Sequence, residues 1–130
     1  MDKISVEDAP RRTRCPGNRL VSAAEDYLIL HSGEKFSLRE TAQAMHVNGS
    51  YLLRVYKAHT GHTLLWFHNH VRCEKAKTLL AESDLGISEI GEAVGFVSSA
   101  HFSHTFKKMT GTSPSAYRLS ANDERLEERK

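Results

Sequence analysis

The feature that most constrains this chain is a repeat inside it. Leu38…Met45-His46-Val47 matches Ile87…Val94-Gly95-Phe96 at an offset of 49 residues. Leu52…Tyr56-Lys57…Thr60-Gly61 matches Phe102…Phe106-Lys107…Thr110-Gly111 at an offset of 50. The one-residue difference places an insertion in the turn of the second copy. Each copy is a short apolar-periodic run, a turn, and a longer apolar-periodic run that stops at a glycine. Two like units are therefore expected, and each has to bury one face of two helices.

The second copy is the more explicit. Glu89–Val94 ends at Gly95, and the next run sets Phe102 and Phe106 four residues apart, with Ala100 and Met109 near the same side, as in an amphipathic helix. Its other face carries Ser99, Ser103, His104 and Lys107, with Lys108 alongside and no acid. Gly111 stops the helix, as a glycine past the C-cap does. Ser113-Pro114 restarts the chain as an N-cap with proline at the first helical position. A short helix, a turn and a second helix with a small, polar and basic outer face form the pattern of a helix-turn-helix that enters a DNA groove.

The first copy follows the same order. Ser37-Leu38-Arg39-Glu40 reads as a capping box, opening a helix to Met45 with Leu38, Thr41, Ala42 and Met45 inward. The turn falls at His46-Val47, and Asn48 caps a helix that continues to Thr60 and ends at Gly61. Leu52, Val55 and Tyr56 point inward, while Gly49, Ser50, Leu53, Arg54 and Lys57 point outward. His46 stands where the second copy has Gly95; histidine tolerates a left-handed backbone better than most residues, at some cost.

Around the copies, Asn18–Ser32 is expected as a first helix with Leu20, Ala24, Tyr27 and Leu28 on one stripe, closed by Gly33. Thr63–Glu82 contains no Gly or Pro and is expected as one helix about 30 Å long. Its apolar residues lie on two sides, Leu64, Phe67 and Val71 on one and Cys73, Ala76 and Leu80 near another. Adjacent major-groove segments on one face of DNA lie about 34 Å apart, so a connector of that length suits two groove-reading helices. The expected fold is all-α, with about seven helices forming two helix-turn-helix subdomains joined by a long central helix. The segments are a flexible basic tail (1–17), a first subdomain (18–62), a linker helix (63–82), a second subdomain (83–120) in which Tyr117 packs as a cap, and a charged tail (121–130) expected to fray.

Gly95-Phe96, His101-Phe102-Ser103, Phe106-Lys107, Gly111, Ser113-Pro114 and Tyr117-Arg118 resemble the C-terminal signature of the AraC/XylS family of bacterial transcription regulators. The duplicated motif extends the resemblance over roughly residues 18–118. The family often has Arg or Lys where this chain has His104. The resemblance implies two helix-turn-helix units on one asymmetric site of double-stranded DNA, contact of the bound protein with RNA polymerase, and activation of transcription. Binding as a monomer is expected, and a cytoplasmic location, associated with the nucleoid when bound. The length is close to that of the family's stand-alone members, such as the MarA-like activators. Two other readings are a DNA-binding part of a longer effector-sensing regulator and, in a different class, a helical protein-interaction module or anti-repressor without DNA binding.

Composition is consistent with a DNA partner through distribution rather than total. The net charge is +2 over 130 residues, modest for a nucleic-acid binder. Within the body, His46–Gly61 carries Arg54 and Lys57 with no acid, and Val97–Arg118 carries Lys107, Lys108 and Arg118 with no acid. A local basic face binds phosphate even when the total is near zero. No apolar run approaches the roughly 20 residues of a membrane span, and the acidic start, with Asp2, Glu7 and Asp8, is unlike a signal peptide. Cys15 and Cys73 are too few for a disulfide framework and read as reduced thiols.

The exposed N-terminal half of each second helix is the candidate base-reading surface: Gly49, Ser50, Leu53 and Arg54 in the first unit, and Ser99, Ala100, Ser103 and His104 in the second. Arg54 is the strongest candidate, because a guanidinium binds guanine O6 and N7 bidentately, and Leu53 suits a thymine methyl. The second set is short or neutral, so weaker base readout and more reliance on backbone contacts are expected there. Phosphate contacts are expected from Lys57, Lys107 and Lys108, and from the helix N-termini at Asn48 and Ser98. No metal or cofactor is expected: His68 and His70 at i,i+2 diverge on a helix, and His70 with Cys73 makes only two ligands of the four a closed zinc site takes. No catalytic constellation is present, and Cys15 has no ligand partners, so no enzyme activity is expected.

Overall fold

The computed structural model describes residues 16–128, and the regular secondary structure among them is helical. In chain order the helices are α1 (Pro16–Leu30), α2 (Leu38–Ala44), α3 (Gly49–Thr60), α4 (Leu64–Glu82), α5 (Ile87–Ala93), α6 (Ser99–Thr110) and α7 (Pro114–Glu128). The all-α architecture of about seven helices is thus found. Most of the expected basic tail, including the Arg11-Arg12-Thr13-Arg14 string and Cys15, lies outside the described residues.

The described residues divide into two compact units, one of 16–30 with 37–64 and one of 31–36 with 65–128. In the first, α1, α2 and α3 pack on one another around buried Ala24, Leu28, Ala42, Leu52, Tyr56 and Leu64. The Tyr56 hydroxyl donates to Glu25 Oε2 at 2.8 Å, which satisfies the polar end of an otherwise apolar side chain. Burial, and then the Glu25 carboxylate, hold that phenol protonated well above its ordinary range.

At three helix ends the structure differs from expectation. Helix α1 starts at Pro16, not Asn18, because proline is already set for the first helical position. It ends at Leu30, and Gly33 is not among the left-handed glycines; the stop is a turn in which the Glu34 N–H donates to the His31 carbonyl at 3.0 Å. At the other end, α7 does not fray after Ser120 but continues to Glu128. The segment has no Gly or Pro and is rich in Ala, Glu, Arg and Leu, all good helix formers.

The second unit is built on α4, an unbroken helix of 19 residues. Cys73, Ala76 and Leu80 of α4 join Ile90, Val94, Phe96, Phe102 and Phe106 in one core, flanked by Leu79, Ile87, Met109 and Tyr117. Phe102, Phe106 and Tyr117 form a chain of edge-to-face rings 5.8 Å apart at each step, an arrangement aromatic quadrupoles prefer. Arg118 ties α7 to the end of α4, donating from Nε to the Leu80 carbonyl at 3.1 Å and from Nη2 to the Ser83 carbonyl at 3.2 Å. The Leu80 carbonyl is among the last of α4, which lack partners within the helix, and Ser83 follows the helix end.

Arg72 and His68 carry contacts that the apolar pattern of α4 does not reveal. Arg72 is buried, with Nε donating to the Ser32 carbonyl at 2.7 Å and Nη2 to the Glu34 carbonyl at 2.6 Å. Its guanidinium also lies 5.1 Å from the centre of the Phe96 ring. Lys75 Nζ adds a contact to Ser32 Oγ at 2.5 Å. These bonds fix connector 31–36 on the second unit. His68 is buried against Phe36, ring centres 5.5 Å apart. Burial, and then the Arg72 charge, push it down to about 4, so the ring is neutral near pH 7.

Candidate nucleic-acid interface

Each unit contains the same two-helix element, and the caps explain why each second helix starts where it does. In the first, Asn48 has an extended backbone and its side chain accepts from the Ser50 N–H at 2.8 Å and the Tyr51 N–H at 3.3 Å. In the second, Ser98 Oγ accepts from the His101 N–H at 3.0 Å. These are N-cap bonds that satisfy donors left open at a helix start. Two of the N–H groups expected to face an anion in α3, and one in α6, are therefore taken by the caps. Both helices have 12 residues and end at left-handed glycines, Gly61 with φ 81° and Gly111 with φ 88°.

The turns preceding α3 and α6 share their hydrogen bonds. Val47 N–H donates to the Ala42 carbonyl at 3.0 Å, and Phe96 N–H to the Gly91 carbonyl at 2.9 Å. His46 N–H donates to Gln43 and Gly95 N–H to Glu92, both at 3.1 Å. His46 adopts φ 60° and Gly95 φ 107°, so both turns pass through a left-handed backbone at this position. The capping box is divided between the copies. Ser37 Oγ accepts from the Glu40 N–H at 3.1 Å, while in the second copy Glu89 Oε1 accepts from the Gly86 N–H at 2.8 Å.

On α3, Leu52 and Tyr56 are buried, whereas Ser50, Leu53, Arg54 and Lys57 are exposed and Gly49 is half-buried. On α6, Phe102, Thr105 and Phe106 are buried, whereas Ser99, Ala100, His104, Lys107 and Lys108 are exposed and Ser103 is half-buried. Asn48 and Ser98 are exposed at the helix starts. Ala100, four residues before His104, lies on the outer face rather than with the phenylalanines. Each helix thus presents its candidate side chains on a face free of acids, backed by aromatic or apolar packing. A solvent-facing helix of this kind offers donors to base edges and cations to phosphates.

Three further features of the two faces were not evident from residue pattern alone. The Arg54 guanidinium lies 5.4 Å from the centre of the Tyr51 ring, and Tyr51 is itself exposed. At the corresponding place in α6, His101 turns edge-on to Phe96 at 5.2 Å. The inserted residue of the second turn is Val97, which is 93% exposed, while Phe96 beside it packs on Phe102 at 5.3 Å. The i,i+3 spacing of Tyr51 and Arg54 was the available signal for the first of these.

Among the described residues, no group of three or more His, Cys, Asp or Glu side chains is placed to hold a metal ion. Cys73 is buried and unpaired with another cysteine, and burial pushes its thiol up to about 11. None of the described helices is long and apolar enough to cross a membrane.

Comparison with known proteins agrees with this geometry. A family profile described as a helix-turn-helix domain matches residues 41–120. The C-terminal domain of AraT, a response regulator from Geobacillus stearothermophilus, superposes with a TM-score of 0.75 at 32% identity, covering 85% of this chain and 88% of that one. The DNA-binding domain of AdpA, a global transcriptional factor solved in complex with a target DNA, gives a TM-score of 0.70 at 26% identity, covering 85% and 96%. In sequence, the HTH-type transcriptional regulator YijO of Escherichia coli (strain K12) is 34% identical over 107 residues, which are 82% of this chain and 38% of YijO. The chain therefore spans well under half the length of that curated relative. On the profile match and on the extent of the structural likeness, the chain belongs to the AraC/XylS family of bacterial transcription regulators and carries its double helix-turn-helix DNA-binding domain.

Proposed function

We propose that this chain binds double-stranded DNA sequence-specifically through α3 and α6 and regulates transcription, as an activator that contacts RNA polymerase from the DNA as a monomer. The observation that carries this is the matched pair of faces. Two 12-residue helices, capped by Asn48 and Ser98, expose Arg54 and Lys57 in one unit and His104, Lys107 and Lys108 in the other. Arg54, Leu53, Ser50 and Gly49 read bases in the first unit. Ser99, Ala100, Ser103 and His104 do so more weakly in the second, because their side chains are short or neutral. Lys57, Lys107 and Lys108 neutralise phosphates, joined by the backbone around Asn48 and Ser98. This reading assigns the chain no reaction and no cofactor.

The salt dependence of binding tests it. The logarithm of affinity for a duplex should fall linearly with the logarithm of salt, with a slope near −0.9 per phosphate neutralised. Lys107→Ala should weaken binding to all sequences alike and reduce that slope by about 1. Binding that is insensitive to salt would favour a protein-interaction module instead.

A further inference from the structure

We propose that Tyr51 is a positioning residue for base readout, holding the Arg54 guanidinium on its ring at the exposed face of α3. The inference rests on the reading of Arg54 as a base-contacting side chain. Three observations carry it. The guanidinium lies 5.4 Å from the Tyr51 ring centre, within the distance at which a cation is attracted to an aromatic face. Tyr51 is exposed at 41% although it is a large aromatic residue, so the buried core of the first unit does not account for its position. Its backbone N–H is held by the Asn48 cap at 3.3 Å, which fixes the first turn of the helix from which the ring projects.

An arginine free in solvent samples many rotamers, and ordering it on binding costs free energy. A ring beneath the guanidinium restricts those rotamers before DNA arrives, and the planar fork remains available along its edge for a bidentate contact. The second unit lacks this device. Its equivalents are His101 and His104, and His101 is engaged edge-on with Phe96 at 5.2 Å. The ring-and-cation pair therefore belongs to the first helix alone, and gives the two helices unequal power of discrimination.

The test measures binding of the full chain to its selected DNA site and to a panel carrying each base at every position. Arg54→Ala identifies the position that Arg54 reads, as a loss of preference there. Tyr51→Leu should reduce preference at that same position about three-fold, with affinity for unrelated DNA unchanged and thermal unfolding intact. Tyr51→Phe should retain the wild-type preference, since the ring is kept. In Tyr51→Leu/Arg54→Ala the two losses should not add. If Tyr51→Leu leaves preference unchanged while Arg54→Ala abolishes it, the positioning role falls and the readout by Arg54 stands. If Tyr51→Phe behaves as Tyr51→Leu, the hydroxyl acts rather than the ring, and the inference is overturned. If Arg54→Ala itself leaves every preference unchanged, the base-reading assignment fails and the positioning role fails with it.

Discussion

The two helix-turn-helix units make the same turn with different residues. The first bends at His46 with φ 60°, and the second at Gly95 with φ 107°. The left-handed well near 60° admits a histidine at modest cost, whereas a φ beyond 100° is close to glycine-only territory. The surroundings differ as well. A Cβ on Gly95 would stand 2.8 Å from the Gly33 carbonyl oxygen, so connector 31–36 closes on the second turn. A second exchange lies inside the units. In repeat register Ala42 and Leu52 of the first unit stand where the second has Gly91 and Phe102; a Cβ on Gly91 would lie 2.9 Å from the Phe102 ring. The larger ring thus occupies the room that the missing methyl leaves. The duplicated motif keeps the hydrogen bonds of its turn, while the packing around it differs between the copies.

The largest effect expected from this comparison is that of Gly95→Ala. Strained backbone and a clash with the Gly33 backbone together should cost about 3 kcal/mol or more, read as a fall in the unfolding midpoint. His46→Gly, its counterpart, should change stability by less than about 1 kcal/mol. Equal losses at the two positions would erase the distinction between the turns.

Acid should act on the second unit through His68. Its folded-state value of about 4 lies below its ordinary 6.5, so the unfolded chain takes up the proton first. The stabilisation is complete above pH 6.5, and is lost as pH falls from there through 4, by up to about 3 kcal/mol. Arg72, which faces His68, stays charged throughout and opposes protonation. His68→Leu should flatten this part of the stability–pH curve, measured by denaturant unfolding between pH 7 and pH 4. An unchanged curve would place the acid sensitivity elsewhere.

Gly91→Ala comes next, with a cost of roughly 1–3 kcal/mol from overpacking against Phe102. Adding Phe102→Leu, which restores the small-and-large pairing of the first copy, should recover part of that loss. Additive losses in the double variant would show that the two positions do not compensate.

Much of this was legible in the sequence because it depends on local pattern. The period of Leu52 and Tyr56, and of Phe102 and Phe106, with glycines 61 and 111 past the ends, fixes two helices and their buried faces. The offset of 49 then 50 places the insertion, and the structure makes it Val97. What could not be read depends on contacts distant in sequence. Arg72 looks like a surface residue of α4 until the Ser32 and Glu34 carbonyls, 40 and 38 residues away, come to it. Gly33 reads as a helix stop, yet its backbone is what makes glycine necessary at 95. The length of α7 was missed for another reason: a charged stretch such as 121–128 suits either a solvated helix or a frayed end, and composition does not separate them.

The central claim, that α3 and α6 both read DNA and do so unequally, is tested most directly by selection from random duplexes read by sequencing. Wild type, Arg54→Ala and His104→Ala would be run in parallel. Wild type should enrich a motif with one sharp and one weaker part; Arg54→Ala should erase preference within the sharp part and leave the weaker one. His104→Ala should alter the weaker part only. No enriched motif for wild type, or the same motif for all three proteins, would contradict the account.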